Sequence, residues 1–243
     1  MKKNFYLFAV LSLFLYGCSS SDSSNNTASG PLVKTMIIDS ANPGDDDYNL
    51  LFTYSGDKLI NIKDSGVLLE QYIYTGEKLT RINNLEDDTY IIIEYSGNQV
   101  TEFTEYDPDF DSASKTVVTY SGNTFTRTVY DGDLTTQTDL SYSEVCTVQN
   151  GNVTQIVRSS FGSSGTDTFS FDTKNNPFKN ISNFSIFQIL DLDIDGNMNN
   201  ITALNITNPY TVSITYNSDN YPLTELSYDS SNVLKESVSY TYY

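Results

Sequence analysis

From Tyr48 onward the chain alternates apolar and polar residues with a period of two, and glycine interrupts the alternation at nearly regular intervals. Leu50, Phe52 and Tyr54 share one parity, as do Ile91, Ile93 and Tyr95, Val118 and Tyr120, Phe169 and Phe171, and Val212, Ile214 and Tyr216. Thr, Ser, Glu and Gln frequently occupy the positions between them, which marks strands with one face in a core and the other in water. The interruptions repeat as Tyr54-Ser55-Gly56-Asp57-Lys58-Leu59, Tyr74-Thr75-Gly76-Glu77-Lys78-Leu79, Tyr95-Ser96-Gly97-Asn98-Gln99-Val100 and Tyr120-Ser121-Gly122-Asn123-Thr124-Phe125. Degenerate copies follow at 149–153, 171–178, 216–223 and 228–234. A glycine between two runs of β-formers supplies the positive φ of a tight turn, so each unit predicts a hairpin.

Two strands per unit predict roughly a dozen or more antiparallel strands, and twisted sheets beyond about ten strands curl, split or close. Closure also removes exposed edges. The predicted fold class is therefore all-β, an antiparallel hairpin meander curling into a closed or nearly closed barrel lined by Tyr, Ile and Phe; a flat single-layer sheet is the alternative. One stretch breaks the rhythm. Ile181, Phe184, Phe187 and Leu190 recur every third residue, which predicts one short helix near 181–191, placed to plug a wide lumen or cap an open end. The strands look shorter than the roughly 9–11 residues of a membrane strand, and the outward face is too rich in Thr, Glu and Asp for lipid.

The N-terminus has a different pattern. Met1-Lys2-Lys3 precedes an apolar run from Phe5 to Tyr16, then Gly17-Cys18 and a polar stretch, the order of a secretory signal and too short for a membrane span. Leu15-Tyr16-Gly17-Cys18 resembles a lipobox, although Tyr16 departs from the usual Ala or Ser. The resemblance implies a signal peptide at 1–17, acylation of Cys18, a flexible Ser/Asn-rich tether at 18–31 spanning roughly 20 Å, and a single β-repeat domain at 32–243. An ordinary cleaved signal with a chance cysteine is the alternative. Acyl chains would give membrane attachment, and Ser19 permits outer-membrane sorting by analogy with other lipoproteins.

Composition narrows the chemistry. Without the signal there are 11 basic residues against 31 acidic ones, a formal charge of −20. With no cluster of Lys and Arg, nucleic acid is excluded as a partner, and anionic membrane surfaces repel the domain, leaving attachment to the lipid. There is no histidine, so Ser-His-Asp and Cys-His arrangements lose their base and His-ligated zinc its ligands. With Cys18 lipidated, Cys146 has no intramolecular partner, and its place in Val145-Cys146-Thr147-Val148 reads as a buried structural thiol.

The hairpin units, with 171–181, resemble the repeats of uncharacterised Bacteroidota-type lipoproteins, some described as having a porin-like β fold. Tyr228-Asp229-Ser230-Ser231-Asn232 is distantly similar to the tyrosine-aspartate repeats of Rhs shells, for which this chain is too short. The resemblance spans roughly residues 48–243 and implies a fold, not an activity. Asp39-Ser40-Ala41 and Asp111-Ser112-Ala113 resemble Bacteroidota-type O-glycosylation sites, making Ser40 and Ser112 candidates.

Two constellations remain. Asp191, Asp193, Asp195 and Asn197 place oxygens at alternate positions with Gly196 sixth, as a calcium loop requires, but the twelfth position is Thr202 rather than glutamate. A solvated Asp-rich turn is the alternative, and calcium is the one cofactor considered. Glu94, Glu102, Glu105 and Asp107 cluster around one hairpin and could serve a carboxylate-dependent glycan hydrolase, or face solvent on a wet sheet. Tyrosines are mostly in phase with the core, whereas Tyr240, Tyr242 and Tyr243 are less easily buried together and could form a ligand surface. The sequence reads as a non-enzymatic envelope lipoprotein of the outer membrane, a binding or structural module for a protein or glycan partner, with the hydrolase as alternative.

Overall fold

A computed structural model describes residues 30–42, 47–160, 162–191, 194–205 and 209–243. The signal, Cys18, nearly all of the tether, and Asp193 lie outside the described residues.

The strands are β1 Val33–Ser40, β2 Tyr48–Ser55, β3 Lys58–Asp64, β4 Val67–Thr75, β5 Lys78–Asn84, β6 Thr89–Ser96, β7 Gln99–Asp107 and β8 Ser112–Ser121. They continue as β9 Thr124–Gly132, β10 Gln137–Gln149, β11 Asn152–Ser160, β12 Ser163–Phe171, β13 Ile201–Asn205, β14 Tyr210–Tyr216, β15 Pro222–Asp229 and β16 Leu234–Tyr242. Each pairs antiparallel with its sequence neighbours, and β1 pairs with β16, closing a 16-strand barrel. The expected closed meander is what forms. The repeat at 171–178 is different: β12 ends at Phe171, and the chain leaves the wall there instead of turning back.

Why the repeat builds a barrel is visible in its pairing. Tyr54 pairs with Leu59 but Thr53 pairs with Asn61, so Ile60 is an extra residue in β3. The same bulge recurs at Thr80 in β5, Thr101 in β7 and Thr154 in β11. On a regular strand residues three apart face opposite sides. The bulge instead turns both Leu59 and Ile62 inward, and likewise Leu79 with Ile82 and Val100 with Phe103, all of them buried. A bulge also bends its strand and increases local twist, the curvature that closure needs. Gly76 opens its two-residue turn at φ +61, as a tight hairpin requires.

Successive hairpins are locked by the same residues of each unit. The Tyr95 hydroxyl donates to the Leu79 carbonyl at 2.5 Å and Tyr120 to Val100 at 2.9 Å. Lys58 donates to the Gly76 carbonyl at 2.9 Å and lies over the Tyr74 ring, and Lys78 repeats both contacts with Gly97 and Tyr95. Tyr, Gly, Lys and Leu of one unit thus form a staircase around one end of the barrel.

Apolar residues face inward and polar ones outward. Phe52, Tyr72, Ile91, Ile93 and Val238 belong to the core, whereas the outward pairs include Thr53 with Asn61, Gln71 with Asn83, and Glu94 with Glu102. A lipid-spanning barrel requires the reverse.

A 16-strand lumen is wider than wall side chains can fill. The described residues of the connection from β12 to β13, 172–191 and 194–200, fold into it. The connection carries a 3-10 turn, Phe184–Ile186, and α1, Phe187–Leu190, shorter than the expected helix at 181–191. Phe178, Ile181, Phe184, Ile186, Phe187, Leu190 and Ile194 are all buried. Phe178 packs on Phe52 with ring centroids 5.6 Å apart, and Phe187 on Tyr72 at 6.2 Å.

The bulge is tested by removing it. Deleting Thr80 forces Leu79 or Ile82 outward, at a cost of roughly 1.5–3 kcal/mol for the exposed side chain alone. Thr80→Ala keeps the residue count and is expected to cost well under that. Urea denaturation followed by circular dichroism should separate the two variants; equal midpoints would refute this role.

Candidate functional site

The plug closes one end of the barrel. Ser182 N donates to the Asp57 carbonyl, Asn183 Nδ2 to Glu77, Gln188 Nε2 to Gly151 and Asn175 N to Asn220, which places it against the turns β2–β3, β4–β5, β10–β11 and β14–β15. The chain also enters the wall there: Asn180 Nδ2 donates to the Pro31 carbonyl at 2.8 Å, and Tyr243 N donates to Leu32.

Irregular backbone inside a barrel has to find partners without a ladder. Asparagine supplies them, since a short amide carries both donors and acceptors. Asn176 Oδ1 accepts from Phe178 N, Asn197 Oδ1 from Val153 N, and Asn152 Oδ1 from Asn199 N, with distances of 2.7–3.0 Å.

An ionic row pins the plug to the wall. Glu144 on β10 stands directly opposite Arg127 on β9 and Arg158 on β11, all on the inner face. Arg127 and Glu144 are 3% and 2% exposed and form an ion pair, while Arg158 Nε donates to Glu144 at 2.6 Å. Arg127 reaches on to Asp191 at 3.0 Å and to the Ile189 carbonyl. Burial would lower the Arg127 pKa, but Asp191 and Glu144 outweigh it. Cys146 lies beside this row, buried, with its thiol pushed up to about 11 by burial. A neutral thiol is a packing residue.

Above the plug the lumen is a cup. A cavity of about 1090 Å³ has its floor at Phe178, Ile194, Asp195 and Asn200, and reaches the β5–β6 turn at Glu86 and Asp87, which is exposed. Its wall comes mainly from β1–β4 and β13–β16. Met36, Ile38, Leu50, Leu204, Val212 and Val238 make it apolar, and Glu70, Glu225 and Glu236 punctuate it with carboxylates. Among the described residues no Lys or Arg lines it.

Two of these carboxylates are held out of water. Burial pushes Glu225 up to about 7; a hydrogen bond with Tyr240 works against this, while Asp195, Asp172 and Glu236 reinforce it. Burial likewise raises Asp195 to about 6, opposed by hydrogen bonds from Asn197.

The residues singled out from sequence fall as follows. Asp191 pairs with Arg127, Asp195 accepts from Asn197 and Asn176, and Asn197 accepts from Val153 and Gln188, so protein donors engage all three described members of the calcium loop. Among the described residues no group of three or more acidic or cysteine side chains is placed to hold a metal. Glu105 and Asp107 lie on the opposite face of β7 from Glu102 and its partner Glu94, so that cluster does not converge. Ser40 and Ser112 are half-buried and lie at the open end, on β1 and β8. Tyr242 donates to the Pro222 carbonyl and Tyr243, 62% exposed, donates to Phe52, so these two serve the wall, whereas the buried Tyr240 lines the cup beside Glu225.

The ionic row and the cup carboxylates were not anticipated from sequence. Their signal is charge in phase with apolar neighbours: Arg127 between Phe125 and Val129, Glu144 before Cys146, Arg158 after Ile156, and Glu236 before Val238 and Tyr240.

Glu144→Ala leaves the buried Arg127 with only the more exposed Asp191 as counter-charge, an expected loss of up to about 3 kcal/mol, whereas Arg158→Ala, at an exposed guanidinium, should cost under about 1 kcal/mol; chemical denaturation of both variants decides. The cup has a pH signature. The folded state holds the Glu225 proton more tightly than an unfolded chain does, so the stability tied to it is complete below about pH 4.5 and is lost as the pH rises through about 7. Asp195 acts with the same sign. Melting temperature should fall from pH 4.5 to 7.5, and Glu225→Gln should flatten the fall; an unchanged slope would contradict the assignment.

No family model matches the chain. No curated protein matches it. Among solved structures the barrel is similar to a porin-like protein from Bacteroides vulgatus, with TM-score 0.57 and 11% identity over 88% of this chain and 99% of that one. A porin-like protein from Bacteroides uniformis gives TM-score 0.56 and 10% identity over 87% and 98%. At such identities the likeness is one of fold: an all-β antiparallel barrel.

Proposed function

We propose that this chain is a lipid-anchored protein of the cell envelope, on the outer membrane, whose barrel is a non-catalytic binding cup. The observation that carries this reading is the floor. A conduit needs two open ends, and the described residues of the β12–β13 connection fill one of them with a packed apolar plug while a cavity of about 1090 Å³ stays open at the other. Cavities of roughly 300–1,000 Å³ are typical of small-molecule sites, so the cup has room for a ligand of that class. A protein or glycan partner would meet the rim.

Orientation follows from the chain path. Pro31 and Leu32 lie against the plugged end, so a tether from acylated Cys18 attaches there and the mouth points away from the membrane. The candidate glycosylation residues Ser40 and Ser112 then sit at the distal end. The outward face of Thr, Asn, Gln and Glu suits water, and the apolar lining suits a ligand.

Cys18→Ser is expected to move the protein from the membrane fraction to the soluble fraction and to abolish incorporation of labelled palmitate. Wild-type protein added to planar bilayers should give no step conductance. Stepwise channels would refute the cup, and membrane retention of the serine variant would refute the anchor.

A further inference from the structure

The cup's carboxylates share one deficiency: among the described residues that line it, none carries a formal positive charge. Glu225 has around it Tyr240, Asp195, Asp172 and Glu236, none of them cationic. Asn200, 3% exposed and part of the floor, spends its Nδ2 on both oxygens of Asp172 and on the Asn175 carbonyl, and leaves its buried Oδ1 with no hydrogen-bond partner. A buried acceptor without a donor, beside carboxylates without a cation, is an arrangement that a structural role does not require and that costs stability.

The same barrel shows the alternative. On the β9–β11 side a buried inner-face carboxylate, Glu144, is flanked by two arginines. On the cup side Glu225 lines the cavity near Asp195 and Glu236, with no arginine or lysine among the described residues of the lining. The space beside them is walled by Ile38, Leu50, Leu204 and Val238, so whatever supplies the missing charge has apolar surface to bury as well.

We propose that the cup takes a small molecule bearing an ammonium group on an apolar frame, with its charge held by Glu225 and the carboxylates around it and its frame against the aliphatic wall. This rests on the reading of the barrel as an open cup and names the ligand class for it. Binding restores to Glu225 the partner that Glu144 has within the chain, and the aliphatic part contributes about 25 cal/mol for each Å² removed from water. Anions of the same shape are rejected by the carboxylates.

The test uses the full chain carrying Cys18→Ser, titrated at pH 8 with octylammonium, octanol and octyl sulfate, with calorimetry and melting temperature as readouts. Octylammonium should bind saturably at one site and raise the melting temperature. Octanol should bind at least tenfold more weakly, and octyl sulfate should not bind. Glu225→Gln and Glu236→Gln should each weaken octylammonium about tenfold, while Glu102→Gln, on the outer face, should leave it unchanged. Both cup substitutions remove a carboxylate from a burial that disfavours its charge, so the variants are expected to fold. If octanol binds as tightly as octylammonium, or Glu225→Gln changes nothing, the cationic ligand is overturned and the cup stands. In parallel, Leu204→Cys should react with a water-soluble maleimide while Cys146 does not. If Leu204→Cys is unreactive, the cup itself is refuted; if it reacts and none of the three compounds binds, only the ligand class is.

Discussion

Circumference governs this molecule. Sixteen strands joined edge to edge leave no free ladder groups, but they enclose more space than a single layer of inward side chains can fill. An empty apolar lumen of that width would flood or collapse, so something must enter it. The β12–β13 connection does, and because it lies at the end where the chain begins and finishes, that end becomes solid and the other stays hollow. Plug and cup are two results of one geometric excess. The asparagine richness of 172–200 follows too, since a segment pressed into a barrel without a ladder needs amides to satisfy its backbone.

Electrostatics inside the wall divides along the same line. Where the plug touches the wall, charges are matched: Arg127, Glu144, Arg158 and Asp191 form a continuous network, with the two most buried members facing each other. Where the plug leaves space, Glu225 and Glu236 line the cavity with no Lys or Arg among its described residues. In a low-dielectric interior an unmatched charge is expensive and tends to be neutralised by taking up a proton, which is the direction in which Glu225 and Asp195 are displaced. The network fastens the plug to the wall.

Much of the architecture was legible in the residues. Period two gave the strands, the glycine turns gave the hairpins, and their number gave closure, because each is a local rule that the tertiary structure does not overrule. The inward Tyr, Leu and Ile face was also readable, including most of the tyrosines. The bulge after each turn was not. Leu59 and Ile62 are three apart, a spacing that on its own suggests a helix, and only pairing with Tyr54 and Phe52 shows both facing inward. The 171–178 segment misled for the opposite reason: it has the composition of a repeat turn, yet Asp172, Asn175 and Asn176 serve the plug. The site was the least legible part. Asp191, Asp195 and Asn197 look like ligands in sequence; in space Asp191 and Asn197 tie the plug to β9 and β11, and Asp195 accepts from Asn176 and Asn197 within the plug. Glu225 and Glu236 look like two solvated acids among 31, because whether an inward carboxylate meets an arginine or a void depends on strands far apart in the chain.

The wall is not equally strong around its circumference. In the repeats at β2–β8, the tyrosine hydroxyl and lysine of neighbouring units stitch hairpin to hairpin. The plug interrupts that stitching where it leaves and rejoins the sheet. There β13 is five residues long, and among the described residues it pairs with β14 through only Ala203 with Thr211 and Leu204 with Tyr210. Regions with few ladder pairs open at lower free energy than the rest of a structure. Ile201, Leu204, Tyr210 and Val212 at this seam also line the cup. The seam beside β14 is thus the part of the cup wall with the fewest ladder pairs among the described residues.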